Sequence, residues 1–389
     1  MDIKKMILPR ISNVPSSGIR KIFDLADSME DVIKLNIGEP QAPPEYALEG
    51  GMQAIREKKV YYTPNSGIKE LRTEISGYLE KKYKTQINPD NQIIVTAGAS
   101  EAIDIALRIL VDHGDEVIIP EPNFEAYKYC TVFTGATPVS INLQESNGFK
   151  LTRQCLEKAV TGRTKVVILS YPNNPTGAVM TKDDLIDIAD FLKGKDIIII
   201  SDEIYCDFTY NHQHASLADF CEIRDHVLTV SGFSKNFSMT GWRIGYVWGH
   251  RDLLSAMHKV HQYAAICACT VSQHGALQAM RHYSESIGRV VGENRVKCNI
   301  IYNGFREIGL NCVKPEGSLY IFPNIKFTGM SSNEFCEKLL MQERVAMVPG
   351  TAFGDCGEGF ARACYASCSI EDIYKALEGI KRFICRNVI

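Results

Sequence analysis

The 389-residue chain has no excess of either charge: 43 Lys and Arg stand against 46 Asp and Glu, for a formal charge of −3. A protein that grips nucleic acid or an anionic membrane needs a strong basic excess, so neither is an expected partner. Long hydrophobic runs are also missing. Stretches such as Ile197–Ile200 fall far short of the ~20 apolar residues that span a bilayer. The opening segment, Met1–Leu8, carries charges at Asp2, Lys4 and Lys5 and no sustained apolar core, which is not the form of an export signal. Low-complexity tracts, long charge runs and internal repeats are absent. The 13 cysteines are odd in number and scattered over a long chain, so they do not form a disulfide framework. Together these absences set aside secreted, membrane, fibrous and disordered classes. A cytoplasmic globular protein with free thiols is expected.

With 45% apolar and 23% charged residues the composition is ordinary for such a protein, and the length favours two domains. Short continuous apolar runs recur at Ile93–Thr96, Glu116–Ile119, Lys165–Leu169, Ile197–Ile200, Val227–Val230 and Ile244–Trp248. Runs rich in Val and Ile without alternation are the pattern of strands buried on both faces of a parallel sheet. Helix-length segments such as Glu101–Val111 and Asp183–Leu192 lie between them, the latter behind a Thr181/Asp184 capping pattern. The chain ends differ: turn signals crowd Asn36–Pro44, and a long helical pattern, Ala276–Ile308, precedes short strands such as Leu319–Phe322. The expected fold class is α/β, a three-layer large domain with a mostly parallel sheet (residues 46–284). A smaller α+β domain is built from both chain ends (1–45 and 285–389).

Open parallel sheets hold ligands at the carboxyl ends of their strands. After Thr96 comes Gly98-Ala99-Ser100-Glu101, where a helix start could offer N–H groups to a phosphate, or Ser100 could simply cap the helix. After Leu169 comes Tyr171-Pro172-Asn173-Asn174-Pro175, a rigid turn that could aim an amide at a ligand or be only a turn. After Ile200 comes Ser201-Asp202-Glu203-Ile204-Tyr205; a carboxylate leaving so apolar a strand needs a cationic partner, structural or functional. After Val230 comes Gly232-Phe233-Ser234-Lys235, with Arg243 and Gly245 following. A lysine in an almost uncharged segment beyond a buried strand, near a second cation, loses its proton readily and becomes a nucleophile and base. No strand is followed by the G-x-G-x-x-G of a dinucleotide site, and the Gly-Lys-Ser/Thr ending of a P-loop is missing. Cys267 with Cys269, Cys364 with Cys368, and His258 with His261 do not give the paired spacing of a zinc site, so no metal is expected.

The 232–245 segment resembles the lysine motif of the class I/II aminotransferases, pyridoxal-phosphate enzymes of fold type I. The resemblance runs in order through Leu35-Asn36-Ile37-Gly38-Glu39-Pro40, Tyr62-Thr63-Pro64-Asn65-Ser66-Gly67, the strand ends above, and Phe360-Ala361-Arg362-Ala363-Cys364-Tyr365-Ala366. It covers nearly the whole chain. It implies that Lys235 holds pyridoxal 5'-phosphate as a Schiff base and moves the substrate proton. Asp202 would pair with the pyridinium nitrogen, Tyr205 and Asn174 would hydrogen-bond the phenolic oxygen, and Phe124 would stack on the ring. Gly98, Ala99, Ser100, Ser234 and Arg243 would surround the phosphate, with Tyr62 reaching in from the other subunit of a homodimer. Gly38, Asn174 and Arg362 would bind substrate, Arg362 as a two-pronged carboxylate clamp.

Two departures accompany the resemblance. Gly232 stands where family members often carry Ser, so one phosphate hydroxyl is missing, and Ser231 or Ser234 is a possible replacement. Ser100 stands where some bacterial aspartate aminotransferases place a lysine for the distal carboxylate. Lys259-Val260-His261-Gln262-Tyr263 also resembles the family but receives no role. The implied activity is ping-pong transfer of an amino group from an L-amino acid (aspartate, an aromatic or an acylated diamino acid) to 2-oxoglutarate. A carbon–sulfur β-lyase on the same scaffold is the alternative. A non-catalytic cofactor-sensing regulator fits less well, because no basic helix-turn-helix precedes Leu35.

Overall fold

A computed structural model describes residues 3–40 and 42–387. Met1 and Asp2 of the charged opening segment lie outside the described residues, as does Gln41 in the turn-rich stretch. The centre is a seven-stranded sheet: β1 (Ile93–Thr96), β2 (Glu116–Glu121), β3 (Thr137–Asn142), β4 (Thr164–Ser170), β5 (Ile198–Asp202), β6 (Val227–Gly232) and β7 (Gly245–Trp248), in the order β1-β7-β6-β5-β4-β2-β3. Every pairing is parallel except those of β7, which runs antiparallel to both β1 and β6. The continuous apolar runs are explained by burial on both faces: every residue of β1, β2, β6 and β7 is buried.

Two expectations need correction. The edge strand β3 was not anticipated. Its burial is patchy and it contains Pro138, so it has none of the continuous apolar signature of its neighbours. The helical pattern Ala276–Ile308 is two helices, Thr270–Arg281 and Tyr283–Glu307, meeting at His282, whose backbone (φ −104°, ψ 16°) leaves the helical range. Each serves a different core. Ala276, Leu277 and Met280 pack into the large cluster that includes β1 and β4 residues, whereas Cys298, Ile301 and Phe305 pack into a second cluster. That second cluster joins Ile22 and Leu35 to Phe335, Ile373 and Phe383, so it draws on both ends of the chain. Phe322, Val348, Phe353 and Phe360 belong to the large cluster, which ties the two cores together.

Helix α1 (Gly18–Asp27) begins at Ser17, whose side chain accepts from the Arg20 N–H. Ser17 also donates to Glu125, next to Phe124, and so anchors α1 beside the carboxyl edge of the sheet. The Thr181/Asp184 capping box forms at the start of Lys182–Leu192. No described helix is long and apolar enough to cross a membrane.

Candidate active site

Beyond the carboxyl ends of β4, β5 and β6 lies a cavity of about 600 Å³. Gly38, Ala99, Ser100, Phe124, Asn174, Asp202, Tyr205, Ser234, Lys235, Arg243 and Arg362 all line it. Gly98 stands at its edge, as the residue that begins helix α2 (Ala99–Leu110). Tyr62 is not among the lining residues and is 80% exposed on the surface of this chain.

The Lys235 amine donates to the Gly38 carbonyl at 2.6 Å and lies 5.9 Å from the centre of the Tyr205 ring. Burial is the main cause that draws its pKa down from 10.5 to about 8; Arg362 and Arg243 add to this, while Cys364 and Glu39 oppose it. Near neutral pH an appreciable fraction is therefore the free amine needed for nucleophilic attack. Asp202 ends β5 with Oδ2 accepting from the Tyr127 hydroxyl at 2.7 Å and Oδ1 from the Ile204 N–H at 3.1 Å. Both donors are neutral, so among the described residues no contact supplies the cationic partner expected from sequence. Burial, chiefly, raises the Asp202 pKa from 3.8 to about 6. A buried acid in this condition matches a cationic ring N–H brought by a ligand.

At the other end of the cavity, α2 starts from Gly98 at φ +81°, a conformation that favours glycine. A Cβ there would come 2.6 Å from Arg243 Nη2, so the glycine also lets the guanidinium stand beside the helix start. Uncapped N–H groups plus a cation suit a phosphate dianion. Gly232 pairs with Gly245 across β6 and β7, where an added Cβ would meet the Gly245 Cα at 2.9 Å. Of the two hydroxyls that could replace the one missing at 232, Ser234 lines the cavity, whereas Ser231 faces the Glu203 carbonyl at 3.3 Å.

Arg362, 3% exposed, donates through Nη1 to Asn174 Oδ1 at 3.0 Å and through Nη2 to the Asn36 carbonyl at 2.7 Å. Its Nε and both polar atoms of the Asn36 amide are buried without a partner among the described residues. Unsatisfied buried donors are costly, and clustered in a cavity wall they mark where a ligand's polar atoms belong. A cofactor with a phosphate, a basic ring nitrogen and an aldehyde, together with a substrate carboxylate, fits these groups end to end.

Sequence reasoning missed Tyr127, Tyr320 and Asn36, and the α1 residues Ile19, Arg20 and Phe23, all of which line the same cavity. Tyr127 and Tyr320 read as core aromatics, and α1 is far from the strand ends in sequence. Asn36 lay inside a quoted motif. Among the described residues no cluster of three or more His, Cys, Asp or Glu could hold a metal. His261 is instead engaged at both ring nitrogens, 2.7 Å from Glu101 and 2.9 Å from the Asn65 carbonyl.

Comparison with known proteins agrees with this geometry. Residues 30–380 match the family described as aminotransferase class I and II. The chain is 39% identical over 381 residues to an aspartate aminotransferase of Pyrococcus abyssi, covering 96% of this chain and 97% of the relative. It is 38% identical over 385 residues to a probable N-acetyl-LL-diaminopimelate aminotransferase of Bacillus subtilis, covering 99% and 97%. The crystal structure of an aromatic aminotransferase from Pyrococcus horikoshii superposes with a TM-score of 0.89 at 37% identity, covering 94% of this chain and 99% of that one. The chain therefore belongs to the class I and II aminotransferases, and is a pyridoxal-phosphate-dependent aminotransferase of fold type I.

Proposed function

We propose that this cavity transfers the amino group of an L-amino acid to 2-oxoglutarate in two half-reactions, with Lys235, Asp202 and Arg362 as its working residues. The observation that carries the reading is their convergence: a half-buried amine of lowered pKa, a buried acid with no cationic contact among the described residues, and an arginine with an unused donor face one space. Bound pyridoxal phosphate supplies an electron sink for the charge that develops at the substrate Cα. Lys235 would hold the cofactor through its amine and, once freed by substrate, would serve as the base that takes up and returns the substrate Cα proton. Asp202 keeps the ring nitrogen protonated, and Tyr205 and Asn174 donate to the phenolic oxygen. Phe124 stacks on the ring. The α2 start at Gly98–Ser100, Ser234 and Arg243 hold the phosphate. Arg362 orients the substrate carboxylate beside Gly38.

For the donor we propose an aspartate, aromatic or acylated diamino acid, the classes named by the relatives. Ile19 and Phe23 of α1 add apolar groups to a wall that also carries Arg20, a mix that can meet an aromatic, acyl or carboxylate side chain. The test is a half-reaction screen that adds one amino acid at a time and follows loss of the holoenzyme's visible absorbance, with restoration by 2-oxoglutarate. Pyruvate and ammonia released from cystathionine without an oxo acid would move the assignment to carbon–sulfur lysis.

Arg362→Lys is expected to weaken amino and oxo acids by about 10²-fold, on the scale of a lost charge-assisted hydrogen bond of ~3 kcal/mol. Cofactor affinity should fall much less, since the fork's own contacts are the Asn174 side chain and the Asn36 carbonyl and no phosphate-binding residue depends on it. Amines without a carboxylate serve as the control. An equal loss of reactivity with them would place the clamp elsewhere.

We further propose a cytoplasmic homodimer, with the large domain over 46–284 and the small domain over 1–45 and 285–389. Thirteen unpaired cysteines suit a reducing compartment. Tyr61, Tyr62 and Tyr263 present exposed rings on one structural unit: Asn65 donates to the Ile266 carbonyl at 2.7 Å and Thr270 to the Tyr61 carbonyl at 2.7 Å. In a two-fold dimer such a turn lends Tyr62 to the phosphate of the opposite site, reciprocally. Refolded mixtures of Tyr62→Phe and Lys235→Ala chains should then regain, in one site per heterodimer, the cofactor affinity that Tyr62→Phe alone has lost. A mixture that averages its parents despite subunit exchange would contradict the sharing.

A further inference from the structure

We infer that Tyr320 is a positioning residue that couples the Arg362 clamp to the phenol of Tyr205, making the two ends of the substrate site respond to each other. Tyr320 lies on a two-residue strand, Tyr320–Ile321, paired antiparallel with Ala361–Cys364, the strand that carries Arg362. It is almost fully buried. Its hydroxyl is 2.6 Å from the Tyr205 hydroxyl, the two rings meeting edge to face at 5.6 Å and 81°. Its ring carries the Arg362 guanidinium, with Cζ 4.5 Å from the ring centre. The backbone at Gly38 is fitted to the same hydroxyl: a Cβ there would stand 2.4 Å from the Tyr320 oxygen. One side chain thus touches the arginine, the Tyr205 phenol and the segment that receives the Lys235 hydrogen bond.

Counting protons fixes the direction of the tyrosine pair. A phenol has one hydrogen to give. On the reading of Tyr205 proposed above, on which this inference rests, that hydrogen goes to the cofactor's phenolic oxygen. Tyr320 must then donate to the Tyr205 oxygen. It has the proton to do so at every working pH, because burial pushes its pKa up to about 12 even though Arg362 pulls the other way. Cys364, Tyr205 and Glu39 are the other titratable groups that act on it. A cation over the ring makes the phenol a stronger donor, and donation into Tyr205 makes that hydroxyl a stronger donor in turn. Charge at Arg362 is thereby felt at the Tyr205 hydroxyl, and a carboxylate arriving at the clamp weakens that influence.

The test uses the holoenzyme and two readouts: the pH midpoint of its visible absorbance, and the Kd for maleate, a non-reacting carboxylate. A donor to the phenolic oxygen eases loss of the proton shared between that oxygen and the lysine linkage, so removing the donor raises the midpoint. Tyr205→Phe should raise it. Tyr320→Phe, which keeps the ring under Arg362, should raise it by about 0.5 of a pH unit, as one neutral hydrogen bond allows, and leave the maleate Kd within about two-fold. Tyr320→Leu, which removes the ring as well, should also weaken maleate by about five-fold. The double Tyr205→Phe/Tyr320→Phe variant should match Tyr205→Phe alone, because Tyr320 acts through Tyr205. A midpoint moved by Tyr205→Phe but untouched by Tyr320→Phe would overturn the coupling, as would additive shifts in the double variant. A midpoint unmoved by Tyr205→Phe would instead remove the reading of Tyr205, and the coupling with it.

Discussion

Lys235→Ala is expected to lower turnover by at least about 10⁴-fold, the upper range for loss of a general base, since the same side chain is also the nucleophile that holds the cofactor. The protein should still fold and retain some cofactor non-covalently. Asp202, the α2 start and Arg243 are untouched, and the lysine's single hydrogen bond is to the Gly38 carbonyl. Added primary amines offer a second readout. A small amine that enters the space vacated by the lysine side chain should restore part of the proton transfer, more effectively as pH approaches the amine's own pKa. Turnover within a few-fold of the parent would mean that another group does the work assigned to Lys235.

Asp202→Asn is expected to separate activity from stability in opposite directions. An amide cannot hold the ring nitrogen protonated, so stabilisation of the developing charge weakens; loss of one such group typically costs about 10² to 10³ in rate. The apoprotein should gain stability. Asp202 has its pKa raised from 3.8 to about 6 in the folded state. A raised carboxyl pKa stabilises the fold below the unfolded value, where the acid is neutral, and that contribution is lost as pH rises through about 6. At pH 7.5 the folded apoprotein therefore carries a penalty on the order of 2 to 3 kcal/mol for the ionised side chain. Asparagine removes this penalty: its Oδ1 accepts from the Ile204 N–H and its Nδ2 donates to the Tyr127 oxygen, whose own hydrogen turns to Ser170. Thermal unfolding of the two apoproteins should show the variant more stable at pH 7.5 and the difference vanishing near pH 4. Equal stability at both pH values together with near-normal turnover would contradict the role of Asp202.

The opposed effects express a general feature of such sites, in which residues held in costly states of charge wait for a ligand to satisfy them. Lys235 is half-buried and Asp202 buried, and both have pKa values displaced toward neutrality. Arg362 keeps its Nε unpaired. Other buried charges are met within the chain, as Glu203 is by His214, Ser216 and Tyr83.

How legible this was in the sequence depends on what each residue type reveals locally. β2, β4, β5 and β6 could be read because a strand covered on both faces must be apolar throughout. The residues just beyond them could be nominated because parallel strands end together. The edge strand β3, half-exposed and carrying Pro138, shares no such signature. The break at His282 was hidden because the helical periodicity continues on both sides, and only tertiary packing decides that Met280 and Cys298 enter different cores. Asp202 and Lys235 stood out as charges in apolar surroundings. Tyr127 and Tyr320 did not, since a buried tyrosine that donates to a catalytic group looks, in sequence, like any core aromatic. Tyr62 marks a different limit: it sits in a recognisable turn, but the partner proposed for it would belong to another chain.

The central claim is that Lys235 is the residue to which the cofactor is attached, and one measurement tests it most directly. Borohydride reduction of the holoenzyme fixes the cofactor to its lysine, and peptide mapping then identifies that lysine by mass and fluorescence. The account predicts a single modified peptide spanning Gly232–Arg243, with the label on Lys235. A label on another lysine, such as the half-buried Lys82 beside Asp207, would contradict it.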